Sequence, residues 1–205
     1  MLVDVQQVIP LPEAQDYIVR IREKALRERQ DRAEQGSRHA LRQAFWQSLL
    51  ERSSGETGLF GNVSPSQATW ISTGAGFSGA SYVYNVTRHS SAIQYVLDGH
   101  RATNKARFDW LLERRKEVEE SFGGQLTWRR SDAKKESGLA QEYEGGYRDD
   151  AENWPAIQDR MIDAMVLLDR ALRPYVDQLR RVAAEDEAAG YADSGDIEGG
   201  SGHGS

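Results

Sequence analysis

The alternation of apolar and polar residues is clearest between Thr103 and Arg130, where a helix period gives way to a strand period. Apolar residues fall there on one face of a helix, at offsets of 0, 3, 4, 10 and 14: Phe108, Leu111, Leu112, Val118 and Phe122. Thr103 or Asn104 is predicted to cap the start of this helix, and Gly123 to close its end in the left-handed conformation. The alternation that follows, at Leu126 and Trp128, predicts a strand.

The first third of the chain predicts two helices. One begins near Glu13 and becomes polar on all sides between Leu26 and Gln35, as expected for a solvated connector or for one member of a helix pair. Gly36 is predicted to interrupt it, and Ser37 to cap a second helix. The core-facing stripe of that second helix contains Leu41, Ala44, Phe45, Ser48 and Leu49, with Trp46 beside it.

Five segments rich in aromatic or β-branched residues are predicted strands: Ala68 to Thr73, Ser81 to Arg88, Ser91 to Leu97, Gln125 to Arg130 and Gly138 to Tyr143. The second and third are joined by a turn at His89–Ser90, which is too short for a helical crossover. An antiparallel hairpin is therefore predicted.

A long C-terminal helix is predicted to begin near Asn153, with Pro155 in its first turn. Pro174 should kink or divide this helix. Its apolar residues recur at spacings of three and four, in a seam that must pack against the sheet or another helix: Trp154, Ile157, Met161, Ala164 or Met165, Leu168, Leu172, Tyr175 and Leu179.

These elements predict an α+β fold, with an antiparallel sheet of about five strands packed by helices on one face and a long C-terminal helix. The chain of 205 residues contains 39% hydrophobic residues, enough for one substantial core. Residues 1–36 are predicted to form a helical arm and residues 37–182 the α+β domain. Residues 183–205 are acidic and rich in glycine and serine, which predicts a disordered tail.

The net charge of −6 is concentrated at the C-terminus, because residues 142–205 carry −9 whereas residues 1–52 and 53–141 carry +1 and +2. The net charge of the whole chain therefore does not exclude a local basic patch. The absence of cysteine excludes disulfides and thiolate metal sites. The N-terminus lacks a signal-peptide pattern, and no apolar run has the length of a membrane span, so we expect a cytoplasmic protein.

Several landmarks together resemble an uncharacterised bacterial and archaeal domain family, one that often lies C-terminal to a restriction-endonuclease-like nuclease domain of the PD-(D/E)xK type. They lie between Arg42 and Leu179: Phe45-Trp46, the glycine-rich turn before Tyr84-Asn85-Val86, Asn104 with Phe108 and Leu111, Glu119 with Phe122-Gly123, Leu126-Thr127-Trp128, and Trp154. The resemblance implies a role beside a nuclease in defence against foreign DNA, but supplies no catalytic residues. Because a nuclease domain does not fit before the shared region, we expect either a stand-alone member or a nuclease on a separate chain.

Three patterns contain residues typical of binding or catalytic sites but lack the neighbouring elements or partner residues that such sites require. The segment Gly74-Ala75-Gly76-Phe77-Ser78-Gly79 matches G-x-G-x-x-G but precedes a predicted strand instead of a helix, which favours a glycine-rich turn over a dinucleotide site. Asp132-Ala133-Lys134 is an acid-x-Lys triplet in a polar loop, and a solvated charge run explains it better than a metal site. His89 and His100 have no partner at a recognisable spacing. We therefore predict no catalytic, cofactor-binding or metal-binding residues, and a stand-alone enzyme is the least favoured interpretation.

Two functional hypotheses remain. The first is a non-catalytic accessory or interaction domain, whose polar helix and long apolar seam would serve a nuclease-bearing partner or a homodimer. The alternative is a nucleic-acid-binding module in which basic residues at the hairpin tip and around the fourth strand converge on phosphates: Arg88, His89, Arg129, Arg130, Lys134 and Lys135. Neither hypothesis requires a membrane or a small-molecule substrate.

Overall fold

The computed structural model describes residues 12–149 and 151–182. Contacts within the chain divide it into two compact units, Met1–Ala40 and Leu41–Ser205. The predicted disordered tail, residues 183–205, lies outside the described residues. Among the described helices, none is long and apolar enough to cross a membrane.

The helices and strands follow one another as predicted for an α+β fold. In chain order they are α1 (Pro12–Ser53), β1 (Trp70–Gly74), β2 (Ala80–Val86), β3 (Ser90–Leu97), α2 (Arg101–Leu112), α3 (Arg115–Phe122), β4 (Thr127–Arg129), β5 (Ser137–Glu144) and α4 (Trp154–Leu172). Short 3-10 turns at Ala151–Asn153 and Arg173–Tyr175 flank α4. Each of the five predicted strands is present, with bounds that differ by a few residues.

The predicted break at Gly36 is wrong, because α1 continues through it from Pro12 to Ser53, and Ser37 is a helical residue and not a cap. A glycine inside a helix costs about 1 kcal/mol relative to alanine, which a long helix on both sides can absorb. Ion pairs at i,i+4 spacing also support the helix around this position, including Arg38 with Glu34 at 3.0 Å. Ala44, predicted to face the core, is exposed, whereas Trp46 is fully buried.

The single helix predicted after Thr103 is two helices, separated at Glu113–Arg114. Arg114 leaves helical geometry, with φ −106° and ψ 16°. Its guanidinium donates to the Trp110 carbonyl at 2.7 Å and lies 3.5 Å from the centre of the Trp110 ring. The predicted N-cap was also wrong: the helix begins earlier, with His100 at the cap position, and Thr103 and Asn104 are buried inside α2.

The predicted end of this region at Gly123 is confirmed. Gly123 has φ +84°, and its N–H donates to the Glu119 carbonyl. The Glu119 carboxylate then accepts bonds from the Leu126 N–H at 2.9 Å and from the Trp128 indole at 3.0 Å. This carboxylate joins the last turn of α3 to the start of β4, so the turn and the strand are held in one arrangement.

The sheet is fully antiparallel, with strand order β1-β2-β3-β5-β4. Its inner face is formed largely by aromatic and aliphatic residues on the central strands: Ile71, Tyr82, Tyr84, Val86, Ile93, Tyr95, Leu97 and Leu139. These residues belong to one core cluster with side chains from α2, α3, α4 and the last turns of α1. The helices of residues 41–182 thus pack on one face, as predicted.

The long apolar seam is buried within the chain. Its residues from Trp154 to Leu172 lie on α4 and are buried in the core, and Leu179 is buried as well. The predicted division at Pro174 is confirmed by the 3-10 turn at Arg173–Tyr175, after which helix resumes at residues 176–182. An intramolecular core therefore accounts for the seam without a second chain.

Three tyrosines lie buried at the centre of the inner face. Burial raises the pKa of Tyr82, Tyr84 and Tyr95 far above the usual value for a phenol. The Tyr82 hydroxyl has the Asp169 carboxylate as hydrogen-bond partner, and that contact raises its pKa further. Within the described residues, the hydroxyls of Tyr84 and Tyr95 have no hydrogen-bond partner.

Two glycines on the outer side of the sheet predict opposite mutational effects. A Cβ at Gly138 would lie 2.2 Å from the Tyr95 carbonyl oxygen, whereas a Cβ at Gly74 would have no atom within 4 Å. Gly138→Ala should therefore lower the free energy of unfolding by about 2 kcal/mol or more, through overpacking. Gly74→Ala, the matched control, should leave it unchanged or raise it slightly. Urea denaturation of both variants measures the difference, and equal stabilities would contradict the close approach at Gly138.

Candidate functional site

The face of the sheet opposite the helices is formed by small and polar side chains in three rows across the strands. The central row is Ser72, Val83, Gln94, Ala140 and Thr127. Val83 and Val96 on this side are half-buried and do not belong to the core cluster. We call this surface the open face, because no helix of the described residues from 41 onward packs on it.

The two ends of the open face differ in chemistry. At the end near the β2–β3 hairpin, the row is Trp70, Asn85, Ala92 and Glu142, with Glu144 beyond it. Trp70 is 53% exposed. At the opposite end, the row is Gly74, Ser81, Val96, Gly138 and Arg129. Trp70 and the carboxylates of Glu142 and Glu144 thus lie at the hairpin end, and small residues with Arg129 lie at the other.

A pocket of about 170 Å³ opens at the basic end of this face. Gly138 contributes no side chain there, and the walls include Gln94, Val96, Arg129 and Lys134. The pocket combines an apolar wall with cationic and amide groups, a mixture that suits a side chain or a nucleobase more than an extended apolar ligand.

Residues 130–136, the basic loop, form one side of this pocket and are held by three charged residues of α2. Arg101, Lys105 and Asp109 follow one another at a spacing of four, so they lie on one side of the helix. Arg101 donates to the Asp132 carbonyl. Asp109 accepts two bonds from the Arg130 guanidinium, at 2.8 and 3.0 Å. The loop therefore has a fixed backbone despite its exposed side chains.

Lys105 makes the most contacts to the basic loop. Its Nζ lies within hydrogen-bonding distance of four acceptors, which share its three N–H donors: the carbonyls of Arg130 at 2.5 Å, Ser131 at 2.9 Å and Glu136 at 3.1 Å, and the Ser137 hydroxyl at 2.7 Å. Desolvation lowers the pKa of Lys105, and the neighbouring charges of Arg101 and Arg130 lower it further. The lysine therefore acts as a structural donor to a loop that supplies only carbonyls.

The structure separates the predicted basic residues into two groups. Arg88 and His89 lie at the β2–β3 turn, beside the end of β5 at Glu144. Arg129 pairs with Gly138 near the start of β5, at the opposite end of the sheet. Seven residues of β3 separate the two ends, a distance of about 23 Å. The six residues do not converge on one site.

The basic residues near the start of β5 differ in whether an acidic side chain pairs with them. Arg129 contacts Glu142 at 2.5 Å, and Arg130 contacts both Asp109 and Asp132. The hydrogen bond to Asp109 raises the pKa of Arg130. Lys134 and Lys135 are exposed, and no ion pair to either is found within the described part of the chain. These two lysines present the available positive charge of the basic loop.

The glycine-rich segment is a turn between β1 and β2, as predicted. Gly76 and Gly79 have φ +91° and +82°, and a Cβ at Gly79 would lie 2.8 Å from the Gly99 Cα. The buried Arg107 donates to the Ser78 carbonyl and to the Leu179 carbonyl, and its guanidinium lies over the Phe77 ring. These glycines allow a tight turn to pack closely around an arginine.

The acid-x-Lys triplet at Asp132-Ala133-Lys134 lies in the exposed basic loop, as predicted. Within residues 12–149 and 151–182, no group of three or more histidine, aspartate or glutamate residues is arranged to hold a metal ion.

Sequence reasoning missed the role of α2 in holding the basic loop. The signal was present, because Arg101, Lys105 and Asp109 repeat at intervals of four beside the apolar stripe. Only the tertiary structure shows that the partner of these three charged residues is the basic loop. Asn104, fully buried, adds bonds from its side-chain amide to the Gly99 and Lys135 carbonyls, each at 3.1 Å.

The chain belongs to the family described as domain of unknown function DUF4268, whose model matches residues 41–176. No curated protein matches the chain, and no solved structure matches it. The matched range covers the sheet, α2, α3 and α4, and therefore includes the open face and the basic loop.

Lys105→Met should release the basic loop without unfolding the domain. Loss of the Nζ contacts predicts hydrogen exchange at least about tenfold faster at amides of residues 130–136, since two lost bonds of about 1 kcal/mol each already exceed the roughly 1.4 kcal/mol of a tenfold change. Lys116→Met is the matched control, because Lys116 is an exposed lysine of α3. Hydrogen exchange followed by mass spectrometry measures both variants. Unchanged protection in Lys105→Met would show that the loop is held by other contacts.

Proposed function

We propose that this member of the DUF4268 family is a non-catalytic interaction domain that acts beside a nuclease-bearing protein, in defence against foreign DNA. The observation that carries the proposal is the first unit of the chain, whose described part, residues 12–40, is entirely helical. A helix that is polar nearly all round serves as a connector or as one member of a helix pair.

The described side chains of this helix fit that role. Residues 20–37 are exposed, and two large apolar residues are among them, Ile21 at 49% and Leu26 at 57%. Elsewhere the surface is charged and includes pairs such as Arg32 with Glu28 at 4.0 Å. Ile21 and Leu26 lie five positions apart, about 140° around the helix, so a partner that covers both must extend around one side of it, where opposite charges select the register.

The apolar seam of α4 no longer supports an intermolecular role, because it is buried in the core. Of the two features that suggested an interaction domain, the helix of the first unit therefore carries the proposal. A partner that binds there would leave the α+β core of the second unit intact.

The double variant Ile21→Glu/Leu26→Glu tests this proposal in the full chain. Nucleases of the restriction-endonuclease-like class encoded in the same genome are purified and measured one by one against the wild-type chain by calorimetry. We expect saturable binding to one of them, weakened at least about tenfold in the double variant because buried charge replaces apolar contact. Glu23→Gln/Lys24→Gln is the matched control on the same helix and should bind normally.

Binding that is equally strong in the double variant and the control would place the partner site elsewhere on the chain. Failure of all these nucleases to bind the wild-type chain would contradict the nuclease association. Circular dichroism of each variant verifies that the helix content is retained.

A nucleic-acid-binding module is the second candidate, favoured by the exposed Lys134 and Lys135. Both lie on a loop whose backbone is held by α2, so binding would not need to order it. The pocket beside Lys134 could receive an unpaired base. Arg88 and His89, about 23 Å away along the sheet, would contact a separate part of any ligand.

Fluorescence anisotropy with labelled duplex and single-stranded DNA, repeated across salt concentrations, tests this candidate. Lys134→Ala/Lys135→Ala should weaken binding and make the salt dependence shallower, by a slope of about 1.8 for duplex and about 1.4 for single strands. Lys116→Ala is the control. Arg129→Ala should have a smaller effect, because Arg129 is already paired with Glu142. Absence of wild-type binding at low salt would remove the candidate.

A further inference from the structure

The carboxylate of Asp169 lies where two cavities meet, near the C-terminal end of α4. One cavity, of about 520 Å³, lies beside residues that follow α1, including Glu56 and Thr57. The other, of about 360 Å³, lies beside the glycine-rich turn between β1 and β2. Asp169 and Arg173 line both cavities, and both volumes are in the range of small-molecule sites. We call this acid and this base the shared pair.

Asp169 is a buried carboxylate that still has acceptor capacity. Its side chain is 13% exposed, and it accepts hydrogen bonds from the Tyr82 hydroxyl and from the Arg173 guanidinium. Burial raises the pKa of Tyr82, and the contact with Asp169 raises it further, so the hydroxyl stays protonated. An ionised carboxylate has about four lone-pair sites, more than these two partners use. A cationic group that enters either cavity therefore meets an anion that has lost most of its hydration.

Arg173 differs from Asp169 because its side chain is 71% exposed. The two residues form an i,i+4 pair, and a pair with a solvated member is favoured only about twofold over its separated side chains. The guanidinium can therefore turn away from Asp169 at little cost. The shared pair thus consists of an anion held by Tyr82 and a cation that can move.

From this arrangement, we propose that the shared pair binds a free α-amino acid with an aliphatic side chain. The ammonium group of the ligand binds Asp169, and its carboxylate binds Arg173, whose planar guanidinium suits a bidentate contact. Insertion of this zwitterion replaces one ion pair by two and leaves the net charge of the site unchanged. A ligand with a single charge would separate the pair and leave one of its members without a partner.

The smaller cavity supplies an apolar wall for the side chain of the ligand. Leu59, Ala75 and Val176 line it. The glycine-rich turn packs directly against Val176, because a Cβ at Gly76 would lie 3.0 Å from the Val176 Cγ1. A branched aliphatic side chain such as that of leucine gains apolar burial against this wall, whereas the carboxylate of Asp177 at the same cavity disfavours acidic side chains.

The site lies entirely within the second unit of the chain, between residues 56 and 177. It therefore stands independently of a partner bound to the helix of residues 12–40. It also gives the glycine-rich segment a role in ligand binding that requires no nucleotide.

NMR titration of the full chain with three probes of similar shape tests the proposal. The probes are L-leucine, leucinamide, which lacks the carboxylate, and 4-methylpentanoate, which lacks the ammonium group. Leucine should saturate the amide shifts of Gly76 and Val176 with a dissociation constant of about 10 mM or lower, as expected for a ligand of this size. Each analogue should bind at least about tenfold more weakly, because it makes one of the two ion pairs.

Asp169→Asn and Arg173→Gln remove the two charges separately. Asp169→Asn keeps an oxygen that can accept from Tyr82, so the fold should be retained. Each variant should weaken leucine binding at least about tenfold. Arg173→Gln should bind leucine and leucinamide alike, since the ligand carboxylate has lost its partner. Asp163→Asn and Arg181→Gln are the matched controls, because both residues are exposed and neither lines the two cavities.

Three outcomes would overturn the proposal. One is the absence of saturable leucine shifts in the wild-type chain up to about 50 mM, well above the expected dissociation constant. Another is equal leucine affinity in Asp169→Asn and Asp163→Asn. The third is wild-type binding of leucinamide as tight as that of leucine, which would show that Arg173 does not receive the ligand carboxylate. Circular dichroism verifies that every variant is folded.

Discussion

The burial of Tyr82, Tyr84 and Tyr95 beneath α4 is the contact on which the other parts of the domain depend. The three rings occupy the centre of β2 and β3, and the Tyr82 and Tyr95 ring centres lie 5.6 Å apart. Rings of this size bury a large apolar area, and α4 can cover them because its own apolar seam is continuous. The Tyr82 hydroxyl also restricts the arrangement, because its hydrogen-bond partner is the Asp169 carboxylate on α4.

This one-sided core determines which surface of the sheet remains available. An antiparallel sheet needs burial on only one face, and here the helices of the second unit pack on the tyrosine side. The opposite side has small residues, and Gly138 brings the β5 backbone against the Tyr95 carbonyl where any side chain would clash. The inner face thus accounts for stability, and no described helix of the second unit covers the outer face.

The link between α2 and the basic loop shows how the core positions surface charge. α2 packs through Phe108 and Leu111, and that packing presents its charged side to residues 130–136. Because Lys105 and Asp109 hold the loop backbone and Arg130, the charge that remains exposed comes from Lys134 and Lys135. The core and the candidate surface are therefore coupled through one helix.

Local patterns in the sequence were sufficient to predict several elements. The five strands follow from residue type and alternation, the αL end of α3 from Gly123, and the division of the last helix from Pro174, because each depends on the conformations open to neighbouring residues. Membership in an uncharacterised domain family was likewise predicted from the residues and is confirmed for residues 41–176. The general fold class followed from the order of these elements.

The remaining features depend on more than the conformations open to neighbouring residues. Gly36 sits within a helix because the stability of the whole helix outweighs one residue's propensity, and α2 separates from α3 where Arg114 folds back onto Trp110. The distance between Arg88 and Arg129 follows from the pairing of β3 with β5, and strand register is a tertiary property. The sequence by itself determined the five strands, the helix end at Gly123 and the division at Pro174, because each depends on local backbone conformation; tertiary packing decided which side chains meet, which face is covered and which charges remain exposed.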